Sequence, residues 1–176
     1  NLAALFGAHG PLADCLTGFR PRPEQLAMAQ DVAAALNHGQ HLVIEAGTGT
    51  GKTYAYLVPA LLCGGKVIIS TGTRNLQEQL YYKDLPVVCQ ALGITARRAM
   101  LKGRSNYLCR YRLERMEADG HWPRSRQAAD FSHIRTWARQ TQTGDIAEVN
   151  TVAEDSSLWF QVTSTADNCL GQDCPH

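Results

Sequence analysis

Residues 41–62 read HLVIEAGTGTGKTYAYLVPALL, and the fold turns on how this stretch is parsed. HLVIE has the short apolar composition of a buried strand, and a helix is predicted from about Lys52. Between them lies AGTGTGKT, a glycine-rich turn in which Gly47, Gly49 and Gly51 let backbone N–H groups converge on an anion. The helix that follows points its positive end at the same place. Lys52 is suited to reach the β- and γ-phosphates of ATP, and the Thr53 hydroxyl to ligate Mg²⁺. These two are the candidate catalytic residues. Ala46, Gly47, Thr48, Gly49, Thr50 and Gly51 complete the candidate nucleotide loop, with Ala46 standing where the strictest form of the pattern has glycine. The competing reading is a flexible glycine loop.

The flanking segments extend the pattern. Pro23 and Glu24 suit the first turn of a helix whose Leu26, Ala29, Val32, Ala33 and Leu36 share one face, with Gly39 closing it. Pro59 is expected to kink the helix after the loop, and Gly64-Gly65 to stop it. KVIIS (66–70) reads as a second buried strand, and a further helix follows Thr73, a candidate N-cap. Alternating strands and helices predict an α/β fold, a parallel sheet with helices on both faces, and a ligand at the carboxyl ends of the strands. From Gly103 the pattern changes. Residues 106–118 and 125–141 are predicted helical and 144–176 irregular, which divides the chain into an ATP-binding part, 1–102, and a mostly helical insertion, 103–176.

The bulk numbers exclude some classes. The chain has 176 residues, 44% of them hydrophobic and 19% charged, with a net charge of +1. Any case for nucleic acid must therefore be local. No apolar run reaches the length of a membrane span, and the opening residues lack a basic region followed by an apolar block, so a cytoplasmic protein is expected. Six cysteines in such a setting point to metal binding or burial rather than disulfides. Cys109 and the C-x₄-C pair Cys169 and Cys174 are spaced as ligands, whereas Cys15, Cys63 and Cys89 are expected to be small core residues. Spacing alone leaves open an iron–sulfur cluster, a zinc site completed by His176, or three unrelated thiols.

Between residues 97 and 115, Arg97, Arg98, Lys102, Arg104, Arg110, Arg112 and Arg115 are opposed by Glu114 alone, with Tyr107 and Tyr111 interleaved. Cations that follow phosphates, with aromatics to stack on bases, suit a single-stranded nucleic acid. An ordinary solvated helix face is the alternative. Trp122, Trp137 and Trp159 are expected to be packing residues.

FRPRPEQ, EAGTGTGKTYAYLVPALL, IISTGTRNLQEQL and LKGRSNYLC occur in an order that resembles the DinG/XPD-like iron–sulfur helicases of superfamily 2, most of all their bacterial YoaA branch. The resemblance covers nearly the whole chain. It implies a RecA-like motor domain, with Gln25 reading the adenine edge and Ser70, Thr71 and Thr73 touching the backbone of single-stranded DNA. It further implies that Cys109, Cys169 and Cys174 are ligands of a [4Fe-4S] cluster whose fourth cysteine lies past His176; beside such a cluster, Arg104 and Tyr107 of the basic stretch are the candidate strand contacts. The implied enzyme is an ATP-dependent DNA helicase acting on single-stranded or forked DNA, moving 5′ to 3′ in repair or replication-damage tolerance, with a replication or repair protein as a possible partner. No acidic pair follows an apolar strand to hold Mg²⁺ and orient water; Glu154-Asp155 follows only Val152-Ala153. The chain is thus expected to be the first part of a larger motor, with weak nucleotide binding and negligible turnover alone. Two other readings stand beside it: a different P-loop phosphotransferase, and a non-catalytic metal-containing nucleic-acid module that uses nucleotide as a switch.

Overall fold

The computed structural model describes residues 1–119 and 126–176, with the side chain of Arg126 excepted. Trp122 lies outside them. The chain forms two compact units, Asn1–Met100 and Leu101–His176. No described helix is long and apolar enough to cross a membrane.

Unit 1 is built on helices α1 (Leu2–Leu5), α2 (Pro11–Cys15), α3 (Pro23–His38), α4 (Lys52–Leu62), α5 (Arg74–Gln79) and α6 (Leu85–Leu92). The start of α3 follows its sequence, with Pro23 in the first turn and Glu24 beside the positive dipole end. At its far end Gly39 adopts a left-handed conformation (φ 62°), and the Gln40 N–H returns to the Ala35 carbonyl at 2.9 Å, the six-to-one closure of a Schellman turn. Gly93 ends α6 the same way. Helix α4 runs on through Pro59 to Leu62 rather than ending at the proline, which is buried. Helices α5 and α6 are joined by one wider π turn, Leu80–Asp84. That extra residue per turn carries Asp84 into the interior, where its carboxylate accepts from Tyr54 Oη (3.3 Å) and Gln79 Nε2 (3.1 Å). Ala29 from α3, Ala55, Leu57 and Val58 from α4, and Val88 from α6 form the core with Phe6 and Leu12.

The expected parallel sheet is not formed among the described residues. HLVIE and KVIIS, expected as buried strands, run without a ladder, and Val43 and Ile68 are 97% and 95% exposed. A strand exists only through its paired neighbours, so two apolar segments without ladder partners stay unassigned whatever their propensity. The short helix α2 begins at Pro11, the proline in its first turn.

Unit 2 holds α7 (Arg110–Ala118), α8 (Arg126–Ala138) and α9 (Ser157–Val162). The last falls where the sequence reads as irregular; Ser156 caps it, its Oγ accepting from the Leu158 N–H. Leu113, Phe131, Ile134, Val152, Leu158, Trp159 and Val162 form a separate core. Trp137 and Trp159 meet edge to face at 6.4 Å, the packing role expected of them.

Candidate nucleotide loop and cysteine cavity

The glycine loop is held by its own neighbours. Lys52, at the first position of α4, donates to the carbonyls of Ala46 (2.6 Å) and Gly47 (2.7 Å), so its ammonium lies across the loop. Thr50 Oγ1 donates to the Gly47 carbonyl at 2.9 Å. Gly49 and Gly51 both have positive φ, 77° and 80°. At Gly51 space adds to the angle, since a Cβ would lie 2.0 Å from Gln25 Nε2 and the glutamine side chain would have to shift. That nitrogen donates to the Gly51 carbonyl at 2.9 Å, which ties the first turn of α3 to the last loop residue before α4. Gln25 is 4% exposed, and its Oε1 is buried with no hydrogen-bond partner among the described residues. A buried acceptor left without a donor is costly and marks a place for one. Arg22, which the sequence reading passes over, donates to the Gly49 carbonyl. Its signal was adjacency: it stands three residues before Gln25 in the same RPEQ run.

Thr53 is half-buried beside Tyr56, whose phenol is pushed above its ordinary pKa by burial, with a hydrogen bond from the Thr53 side chain opposing this. Ala46 is partly buried, and Thr48 is exposed on the loop. Of the STGT residues, Thr73 caps α5, its Oγ1 accepting from the Leu76 N–H at 3.3 Å, and Thr71 donates to the Thr73 carbonyl at 3.2 Å. Ser70 is exposed. The hydroxyls of Thr71 and Thr73 thus shape the helix start.

In unit 2, a cavity of about 430 Å³ is lined by Arg104, Tyr107, Cys109, Arg110, Cys174 and His176, among others. Cys169 stands beside it. Its thiol is held below the ordinary value by the Gly171 N–H, with smaller contributions from the Arg104 charge and from hydrogen bonds to Arg104 and Ser164, while burial works against them. Arg104 and Ser164 both line the cavity together with Cys109 and Cys174, while Cys169 is not among the lining residues. Among the described residues no group of three or more His, Cys, Asp or Glu side chains closes into a metal site. The donor set has the soft thiols that iron and zinc favour, grouped but not converged. His176 Nε2 lies 2.9 Å from Glu114 Oε2. Cys89 is buried and Cys15 partly so, as expected, but Cys63 is exposed at the end of α4, its thiol turned to the Ala60 carbonyl.

The basic stretch is less uniform than its sequence. The Lys102 side chain is 3% exposed and paired with Asp145 at 2.8 Å. Arg112 donates to the carbonyls of Phe160 and Gln161 at the end of α9. Arg98 lies over the Tyr81 ring. Tyr107 is half-buried, its hydroxyl accepting from the Lys102 N–H at 2.9 Å, while Arg104 and Arg110 are exposed. Periodicity could not separate the buried lysine from the solvated arginines, because its partner lies far along the chain.

Comparison with known proteins joins these features. The sequence pattern of the DEAD/DEAH box helicases matches residues 25–120, from the buried glutamine through the phosphate loop and beyond. The chain belongs to that family. That family implies a RecA-like fold, although HLVIE and KVIIS form no ladder among the described residues. The chain is 51% identical over its full length to a protein of Haemophilus influenzae named ATP-dependent DNA helicase YoaA, and 54% identical over 97% of its length to the Escherichia coli protein of that name. A Bacillus subtilis protein named 3'-5' exonuclease DinG is 36% identical over 92% of the chain. Its likeness is thus to DinG-like helicases, on the YoaA branch. The chain spans 28% of the length of the first of these relatives, 27% of the second and 18% of the third.

Proposed function

We propose that these residues are the first part of an ATP-dependent DNA helicase that moves along single-stranded DNA, 5′ to 3′, in repair or replication-damage tolerance. The observation that carries the proposal is the phosphate loop with Lys52 laid across it and the buried, half-satisfied Gln25 behind it, inside the span that matches the helicase family. In this reading Lys52 exchanges the Ala46 and Gly47 carbonyls for phosphate oxygens when MgATP binds. Thr53 ligates Mg²⁺, and the free Gln25 Oε1 accepts from the adenine amino group. The backbone N–H groups of residues 46–53 cradle the phosphates. HLVIE and KVIIS become strands of a parallel sheet once the rest of the motor domain supplies their ladder partners. Residues 1–102 are then the beginning of that domain and 103–176 an inserted one.

Cys109, Cys169 and Cys174 are proposed as three ligands of a [4Fe-4S] cluster, with a fourth thiolate from elsewhere in the protein. When bound, the cluster supplies a covalent staple for the loops around the cavity. Ser70, Thr71, Thr73, Arg104 and Tyr107 are proposed to contact single-stranded or forked DNA. The exposed Arg104 is suited to a phosphate, whereas Tyr107 is half-buried and anchored through its hydroxyl.

The test is ATP hydrolysis by a longer protein carrying this chain, with and without single-stranded DNA, together with iron and acid-labile sulfide per chain. DNA-stimulated hydrolysis lost in Lys52→Ala, and about four of each cluster element lost in Cys109→Ser, are expected. Hydrolysis indifferent to DNA would overturn the helicase reading. Zinc, or no metal, would remove the cluster alone.

A further inference from the structure

The loop that carries Arg104, Tyr107 and Cys109 is fastened at two ends of a short path. The Leu108 N–H donates to the Gly144 carbonyl at 2.8 Å, and the Cys109 N–H to the Val162 carbonyl at 2.7 Å. Tyr107 pairs with Asp145, and Leu108 with Thr163, as isolated antiparallel bridges. These bonds join three stretches of chain that no regular element holds together. Beside these bonds lies a largely buried ion pair. Lys102 Nζ lies 2.8 Å from Asp145 Oδ2, with the two side chains 3% and 18% exposed. The other carboxylate oxygen of Asp145 accepts from the Ala147 N–H at 3.1 Å, and the Lys102 N–H donates to the Tyr107 hydroxyl at 2.9 Å. One carboxylate thus grips the residue before the loop and the turn opposite it, while the tyrosine closes the loop on itself.

We propose that Lys102 and Asp145 are positioning residues for the cysteine cavity: their ion pair sets where Cys109, Arg104 and Tyr107 stand. Asp145 belongs to no motif singled out in the sequence, and Lys102 falls in the basic stretch but is withdrawn from it. The value of the cavity as a working site rests on the function proposed above; the clasp itself does not. In some proteins a buried pair specifies register at a cost in stability, and here that role falls to the ammonium and carboxylate. Removing one partner leaves the other charged and buried, which loosens the loop around it.

The experiment is amide hydrogen exchange on the 176-residue chain, read at Leu108 and Cys109, with alkylation of the Cys109 thiol timed against the exposed Cys63 as internal standard. Asp145→Asn and Lys102→Met are expected to speed exchange at both amides, and Cys109 alkylation, by about tenfold or more. The amides of unit 1 and of α8 should be unchanged, and Lys102→Arg should remain near wild type. Rates within about twofold of wild type in the two disrupting variants would overturn the proposal. So would exchange rising equally across α8, which would make the pair a general support of the core. If the disrupting variants do not fold, the charge-exchanged double variant Lys102→Asp with Asp145→Lys decides: slow exchange at Leu108 and Cys109 supports the clasp, fast exchange or a failure to fold overturns it. Iron and sulfide are counted separately on the longer wild-type protein. Their absence would remove the cluster reading and leave the clasp standing.

Discussion

Gly51 illustrates how much one residue can decide. Its φ is 80°, and a methyl group there would come within 2.0 Å of Gln25 Nε2, so the glutamine side chain would have to move. Gly51→Ala is therefore expected to destabilise unit 1 by about 1–3 kcal/mol, from left-handed strain plus displacement of the glutamine. Thermal melting checks the stability, and titration with a fluorescent ATP analogue should show weaker binding. Lys52 makes a different case. Its hydrogen bonds in this structure are to loop carbonyls, so Lys52→Ala is expected to lower stability by about 1 kcal/mol, with a small fall in melting point. The same variant should lose most nucleotide affinity. A loss of stability of several kcal/mol would show that the ammonium chiefly holds the loop up rather than serving a phosphate.

At the scale of elements, side chains from distant positions decide where helices and turns stop. Glu148 gathers the Trp137 indole N–H from α8 at 2.9 Å, the Thr141 hydroxyl at 2.8 Å and the Thr143 hydroxyl at 2.6 Å. Those bonds, Thr143 first, hold its carboxyl below the ordinary value. A carboxyl depressed in the folded state stabilises it above the unfolded pKa, and that contribution disappears as pH falls through the folded one. Unit 2 is thus expected to lose stability below about pH 4.5, and Glu148→Gln to flatten that part of the profile, as followed by denaturant titration at several pH values. The side chain is exposed, so the effect is modest. The start of α5 is a simpler case: Thr73→Ala removes the acceptor for the Leu76 N–H and is expected to cost about 1 kcal/mol. Glycine at the same position, which caps well without a side chain, should recover most of it.

For the whole molecule, the two cores are separate, and the apolar segments around residues 43 and 68 belong to neither. Val43→Lys with Ile68→Lys is expected to leave the stability of the 176-residue chain within about 0.5 kcal/mol while reducing its aggregation, measured by melting and light scattering. In a longer protein where these segments pair into a sheet, the same double variant should destabilise the motor domain severely, since lysine would then enter a buried face.

Sequence alone determined what depends on short spacing: the glycine loop with Lys52 at the helix start, Pro23 and Gly39 bounding α3, and the cap at Thr73. These are local because a turn, a cap or a phosphate grip is made by residues within a few positions of each other. The tertiary structure decided the rest. It buried Gln25 against Gly51, turned Arg22 onto Gly49, ended the standing of HLVIE and KVIIS as strands here, and withdrew Lys102 from the basic stretch to Asp145. Each of those outcomes depends on a partner supplied from elsewhere in the chain, or on the want of one. An ion pair between residues 102 and 145, like the ladder of a strand, is fixed by where the chain returns, which no local pattern encodes.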